Sequence, residues 1–235
     1  MKIHTDFEQG SALWLYFRAG IPTASEFHHL VTPKKFEVRT GKEMDNYVAR
    51  KLAEKWGGPI MGFQGGVMDQ GHILEDEAIP WYEFEFDQKV RRVGFVTSDD
   101  EKIGCSPDGL LEIGGIEIKC PQPEQHVKYL LAGKVPDDYV MQVQGSMHIC
   151  QCEVWRFVSY RRGFPKLVLN VQRDPAIQEA LTDALDLFRM KFDEGWAYLC
   201  ELNGGPPPPR PKPEPMVFAD DITAGRAEEP DDLPH

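Results

Sequence analysis

Apolar side chains recur at spacings of three and four along several stretches of this 235-residue chain. Leu13, Trp14 and Phe17 give one apolar side to a short helix over residues 8–18, which Gly20-Ile21-Pro22 breaks. Met44, Tyr47, Val48, Leu52 and Trp56 predict a helix over residues 43–56, ended by Gly57-Gly58-Pro59. Glycine-rich residues 62–66 precede a further helix over residues 68–84, in which Pro80 should kink the axis or start a new turn. Helices are also expected at 123–131 and 137–149. The latter carries apolar groups on most faces (Tyr139, Val140, Met141, Val143, Met147), the pattern of a buried helix. Ile177, Leu181, Leu185, Phe188, Phe192, Trp196 and Leu199 predict a long helix from Pro175 to about Leu202.

Elsewhere the apolar period falls to two, which marks strands. Val90, Val93 and Phe95 predict a strand over residues 89–97. Residues 103–106 follow, then two short runs at 110–113 and 116–119 around Gly114-Gly115, together an antiparallel meander ending in a hairpin. Two more strands, 153–160 and 166–172, are joined by residues 161–165. The fold class is therefore α/β (α+β), a central mixed, largely antiparallel-containing sheet flanked by helices.

The hairpin brings candidate chemistry. Ile116 and Ile118 alternate with Glu117 and Lys119, so the two charged side chains share one face. Asp108 sits at the base of the partner strand. Two readings fit these residues. They hold a divalent metal and a water against a phosphate, or they form a surface hairpin with an alternating charged face and a cross-strand ion pair.

Composition bounds the function. Hydrophobic content of 41% and charged content of 27% are those of a soluble globular protein. No apolar run approaches the roughly 20 residues of a membrane span, and the N-terminus has no apolar secretion region, so no membrane association is expected. Five cysteines, an odd number, point to reduced thiols in a cytoplasm. Cys150-x-Cys152 lacks the two-residue gap of metal knuckles and reads as small buried side chains. A net charge of −12 disfavours a simple nucleic-acid binder, although a metal-dependent nuclease needs an acidic site.

Composition also divides the chain. Residues 1–203 read as one domain. Residues 204–235 hold nine of the 19 prolines, seven acids and three bases, a net −4 of the −12. They are expected to form a polyproline-II spacer and an acidic, mostly disordered end, with Met216-Val217-Phe218 as a possible docking motif.

An anion seat is suggested upstream. Thr23 and Glu26 fit a capping box at the start of a helix running from Ser25 to about Val31, and Arg18 is within reach of the same helix end. The same residues also fit plain capping of a surface helix. Lys34, Lys35 and Arg39 make a basic loop. In the 137–149 helix, Gln142 and Ser146 line up four residues apart while Gln144 points elsewhere.

These pieces recur together in one family. Trp14-x-x-x-Arg18-x-Gly20-x-x-Thr23-Ala24-Ser25-Glu26, Gly71-x-x-x-Glu75-x-x-Ala78, Cys105-Ser106-Pro107-Asp108-Gly109-Leu110, Glu117-x-Lys119-Cys120-Pro121 and Gln142-Val143-Gln144-x-Ser146-Met147 occur in order. The chain thus resembles the phage lambda exonuclease family, the viral-recombinase branch of the PD-(D/E)XK nucleases, over roughly two thirds of its length. The resemblance implies a restriction-endonuclease-like fold. It implies that Asp108, Glu117, Glu75 and the Ile118 carbonyl hold Mg²⁺, two ions, with Mn²⁺ as an alternative. Lys119 would orient or deprotonate the attacking water. Arg18 and Ser25 would seat a 5′-phosphate, with Trp14 and Gln142 on the DNA-binding side. Gln144, with Gln142, would line the catalytic site.

The implied activity is 5′→3′ exonuclease action on linear double-stranded DNA, releasing mononucleotides and leaving 3′ single-stranded overhangs for phage-type recombination. The implied partners are double-stranded DNA ends, two further copies in a homotrimeric ring, and a single-strand annealing protein. The expected location is the cytoplasm of a bacterial host, with a phage or prophage gene. The alternatives are another PD-(D/E)XK endonuclease, a single-strand nuclease, or a non-catalytic DNA-end-binding protein.

Overall fold

The structure is a computed structural model that describes residues 1–60 and 68–214, with backbone only over 68–73. The glycine-rich stretch at 62–66, the docking motif at 216–218 and the rest of the acidic end lie outside the described residues.

Helix α1 (Ala12–Arg18) is shorter than the 8–18 expected, because Ser11 caps it: Ser11 Oγ accepts the Trp14 N–H at 3.2 Å. Residues Ala24–His29 form a 3₁₀ helix, not the α-helix expected from Ser25. The capping box is rewired. Thr23 makes no side-chain bond to the backbone; its hydroxyl donates to Glu26 Oε2 at 3.1 Å. Glu26 in turn meets Lys51 at 2.8 Å and Arg50 at 2.9 Å. Two cations hold that carboxylate more strongly than one backbone N–H would.

Helix α2 (Lys42–Trp56) ends at Gly57, whose φ of 118° is the left-handed conformation that closes a helix. Helix α3 (Met68–Phe86) runs through Pro80 as one element. Helices α4 (Pro123–Ala132), α5 (Asp137–Cys150) and α6 (Pro175–Asn203) follow, the last packed along α2.

The strands divide into two sheets where one was expected. Strands β1 (Lys2–His4), β2 (Phe95–Thr97) and β3 (Gly104–Cys105) form an antiparallel sheet in that order. Strands β4 (Gly109–Leu110), β5 (Gly115–Lys119), β6 (Val154–Ser159) and β7 (Leu167–Gln172) form the second, in that order. The meander breaks at Ser106-Pro107-Asp108, where Pro107 has no N–H to give a ladder. The strand expected over 89–97 keeps only Phe95–Thr97 in a sheet; Arg91 instead exchanges both backbone bonds with Leu110, each 2.9 Å. Gly114, with φ of 82°, makes the turn into β5.

Strand β5 is an interior strand, antiparallel to β4 and parallel to β6. Its Ile116 and Ile118 pack with Ala78, Ile79 and Tyr82 of α3 and with Val158 and Tyr160. Its other face looks toward α5. A larger core joins α5, α6, α2, the 3₁₀ helix and β6. There α5 comes so close to the 3₁₀ helix that a Cβ on Gly145 would lie 2.5 Å from the Phe27 ring. All five cysteines are free, and the buried Cys105 and Cys150 sulfurs face each other at 3.8 Å. The proline-rich run starts with an anchor: Arg210 donates to Glu54 O at 2.8 Å and Gly58 O at 2.7 Å, satisfying carbonyls at the end of α2.

Candidate active site

Asp108 leads into β4 at the end where the backbone ladder to β5 stops, and its side chain continues that ladder. Asp108 Oδ2 accepts the Ile118 N–H at 2.5 Å. In a strand the N–H and C=O of one residue point to the same edge, so the Ile118 carbonyl faces Asp108 as well. Beside it, Glu117 is 1% exposed. A surface hairpin is thereby excluded: this carboxylate is buried on the inner face of the sheet.

Glu117 Oε1 receives Lys119 Nζ at 2.6 Å and Gln142 Nε2 at 2.5 Å. Glu117 Oε2 is buried with no hydrogen-bond partner among the described residues. Such an orphaned anionic oxygen is costly unless something satisfies it. Burial first, then the charges of Glu117 and Glu75, push the Asp108 carboxyl well above the usual carboxylate range; Lys119 and the Ile118 N–H oppose the rise. Burial alone would lower Lys119, but Glu117 and Asp108 hold its pKa above the ordinary lysine value. Lys119 also lies 4.9 Å from the Tyr139 ring centroid, and burial raises the Tyr139 hydroxyl to about 12.

Glu75, on α3, is half-buried, and its charge reaches both Asp108 and Cys120. Among the described residues, no three acidic, histidine or cysteine side chains close into a ready cage. The donors are all oxygen: Asp108, Glu117 and the Ile118 carbonyl, with Glu75 approaching from the helix. That chemistry and the orphaned Glu117 oxygen fit a hard divalent cation.

A second cluster adjoins the first through Ser106. Ser106 Oγ accepts Trp14 Nε1–H at 2.7 Å and Arg18 Nη1 at 3.4 Å. Arg18 stacks 4.2 Å over the Trp14 ring and donates to Thr23 Oγ1 at 3.3 Å. Thr23 Oγ1 is 3.5 Å from the exposed Ser25 hydroxyl. Burial lowers the Arg18 pKa, while Glu26 and Glu54 favour its charge. Behind this seat Lys51, 2% exposed, bridges Glu26 and Glu54 at 2.8 and 3.0 Å, and Glu54 Oε2 accepts the Gly20 N–H at 3.2 Å. Burial alone would raise Glu26; Lys51, Arg50 and Arg18 hold it below the usual range.

The structure thus brings Asp108, Glu117, Ile118, Lys119, Glu75 and Gln142 together, and Trp14, Arg18 and Ser25 together beside them. Gln144 is a correction. The residue is 3% exposed and its amide is engaged elsewhere, donating to Gln172 O at 2.8 Å and accepting from Asp174 N at 3.1 Å and Gln178 Nε2 at 3.0 Å. Two residues along a helix turn a side chain by about 200°, so only one of the pair Gln142 and Gln144 can face β5. Ser106 joins the two clusters and was not singled out from the sequence. Its place just before Pro107-Asp108 was the available signal.

Several solved structures share this arrangement of elements. LHK-Exo, an alkaline exonuclease from Laribacter hongkongensis, superposes with a TM-score of 0.72 at 26% identity, over 83% of this chain and 98% of that one. The same protein has been solved in complex with dAMP, with the same coverage and score. A phage-related exonuclease from Haemophilus somnus 129PT shares the fold at a TM-score of 0.56 and 15% identity, over 76% of this chain and 96% of that one. No curated relative matches the chain. The YqaJ-like viral recombinase domain matches residues 13–153, which take in α1, the 3₁₀ helix, Glu75, the β4–β5 unit and all of α5. The chain belongs to the YqaJ-like viral recombinase family.

Proposed function

We propose that this protein is a divalent-metal-dependent 5′→3′ exonuclease acting on the ends of double-stranded DNA. It would release mononucleotides and leave 3′ single-stranded overhangs. One observation carries the reading: Ser106 binds Trp14 and Arg18 of a cationic pocket and lies two residues from Asp108 of a buried carboxylate site. A pocket for a terminal phosphate next to a site for hydrolysis selects the bond one nucleotide in from an end. The dAMP held by LHK-Exo, itself an alkaline exonuclease, is the size of the product this geometry would release.

In this reading Asp108, Glu117 and the Ile118 carbonyl hold Mg²⁺, with Glu75 completing the site. The cation would supply charge stabilisation at the phosphate and a more acidic water. The chain's own groups do the rest. Arg18, stacked on Trp14, takes the terminal phosphate with Ser25. Gln142 holds Glu117 in place. Lys119 places positive charge where the phosphate gains negative charge. Because Glu117 and Asp108 keep Lys119 protonated, its part in the resting site is electrostatic. Three copies in a ring would thread the duplex past these sites despite the net charge of −12.

Digestion of linear duplex carrying a 5′ label, with Mg²⁺ or EDTA, tests this. Wild type should release the label as a mononucleotide only with Mg²⁺, faster from 5′-phosphorylated ends, and should leave closed circles intact. Sedimentation should give three chains per particle. Cutting of closed circles, or indifference to the 5′-phosphate, would sink the reading.

A further inference from the structure

The β6–β7 connection reaches the carboxylate site from the side opposite the Arg18 pocket. Strand order β4-β5-β6 puts Asp108 and Ser106 on one flank of β5 and the end of β6 on the other. In the parallel β5–β6 register Glu117 pairs with Phe157 and Lys119 with Ser159. Paired residues of parallel strands share a face, so a further step of two reaches Pro121 and Arg161. The contact is made: Tyr160 N donates to Lys119 O at 2.9 Å, and Arg161 Nη1 donates to Pro121 O at 3.3 Å. Arg161 is half-buried and close enough to the Cys120 thiol to oppose the effect of Glu75 and Asp108 on it.

The connection is held firmly. His126, fully buried, pairs its Nδ1 with Ser159 Oγ at 2.7 Å and its Nε2 with Pro165 O at 2.8 Å, clamping both ends of the loop to α4. Lys166 Nζ donates to Phe164 O at 2.7 Å and lies 5.1 Å from the Tyr160 ring centroid. Arg162, by contrast, turns outward into an exposed ion pair with Glu77. A guanidinium on a clamped loop, tied by one N–H to Pro121 O, is preorganised for an anion.

We infer that Arg161 binds an internal backbone phosphate of the DNA, on the far side of the scissile bond from the terminal phosphate at Arg18. This rests on the exonuclease reading above for the identity of the polyanion. The pocket at Arg18 would count one terminal phosphate; Arg161 would hold the duplex whatever its end chemistry.

Binding of fluorescent duplex in EDTA, where nothing is cut, reads the inference directly. The probes are 5′-phosphorylated and 5′-hydroxyl duplexes, titrated over a range of KCl. Arg161→Ala and Arg161→Gln should weaken binding about 5- to 50-fold and lower the slope of log affinity against log salt by about 1, equally for both probes. Arg161→Lys should keep the slope, and Arg162→Ala should leave both quantities unchanged. An unchanged slope in both Arg161→Ala and Arg161→Gln, or a loss confined to phosphorylated ends, would overturn the inference. Digestion with Mg²⁺ in parallel reads the activity itself: slope loss without wild-type digestion would sink the exonuclease reading and leave Arg161 as a DNA contact.

Discussion

Gln142 Nε2 and Lys119 Nζ converge on one oxygen of Glu117, at 2.5 and 2.6 Å, while the other oxygen stays buried and unpartnered among the described residues. The two neighbours therefore divide their work. They hold Glu117 in a single orientation and leave its second oxygen for a ligand. Gln142→Ala should loosen that orientation and lower the turnover number about 10- to 100-fold, the scale seen when groups that orient metal ligands are lost, with little change in melting temperature. Gln144→Ala should do the reverse. It strands Gln172 O and Asp174 N and removes one of the two acceptors of Gln178 Nε2, for a stability loss of about 1–3 kcal/mol, and leaves turnover per folded molecule unchanged. Paired thermal melts and single-turnover digestion separate the two.

Asp108 makes metal-free stability depend on pH. Its folded pKa is raised by burial and by Glu117, above the unfolded value of about 3.9. Between those two values the folded state binds the extra proton, so this group's contribution is lost as pH rises. Wild type without metal should melt at a lower temperature at pH 8 than at pH 5, relative to Asp108→Asn, which keeps an acceptor for the Ile118 N–H but no charge. Each 1 kcal/mol should appear as roughly 2–4 °C. Mg²⁺ should stabilise wild type more at pH 8 than at pH 5 and barely stabilise Asp108→Asn. Equal melting differences at both pH values would refute it.

Ser106→Ala removes the shared acceptor of Trp14 and Arg18. The loss of about 1 kcal/mol per hydrogen bond should cut the rate preference for 5′-phosphorylated over 5′-hydroxyl duplex about 5- to 10-fold. The rate on 5′-hydroxyl ends should hold. The measurement is the ratio of the two rates, which a general loss of activity does not change.

Lys51 is the buried bridge behind the phosphate pocket. Lys51→Met leaves Glu26 with Arg50 and leaves Glu54 without a cation at contact distance among the described residues, and should destabilise the fold by about 3–5 kcal/mol. The double variant Lys51→Met with Glu54→Gln should regain much of that loss, which denaturant unfolding would read.

Part of the geometry of the candidate site is legible in the sequence. The alternation in Ile116-Glu117-Ile118-Lys119 requires that the two charged residues share a face, and they do. Arg18 and Ser25 are close in sequence and close in space, joined through Thr23. The local spacing of Thr23 and Glu26 predicts a capping box that the fold does not form. Lys51 and Arg50 come from a different helix and outcompete the backbone for Glu26. The single meander gives way to two sheets for a related reason: a strand pattern at 89–97 says nothing about which partner is available, and Pro107 interrupts the ladder.

The chain by itself determined whatever depends on neighbours a few residues apart: helix faces, the strand alternation, the Gly114 turn, and the ordered motifs that mark the family. Tertiary structure alone decided the rest. Packing against α3 buried the isoleucine face of β5 and so turned Glu117 inward. The docking angle of α5 chose Gln142 over Gln144. The parallel register of β5 and β6 carried Arg161 to the site's edge, and the break at Pro107 brought Ser106 under Arg18. Each of these joins residues tens of positions apart, and the energy that selects them is collective burial, which no local spacing encodes.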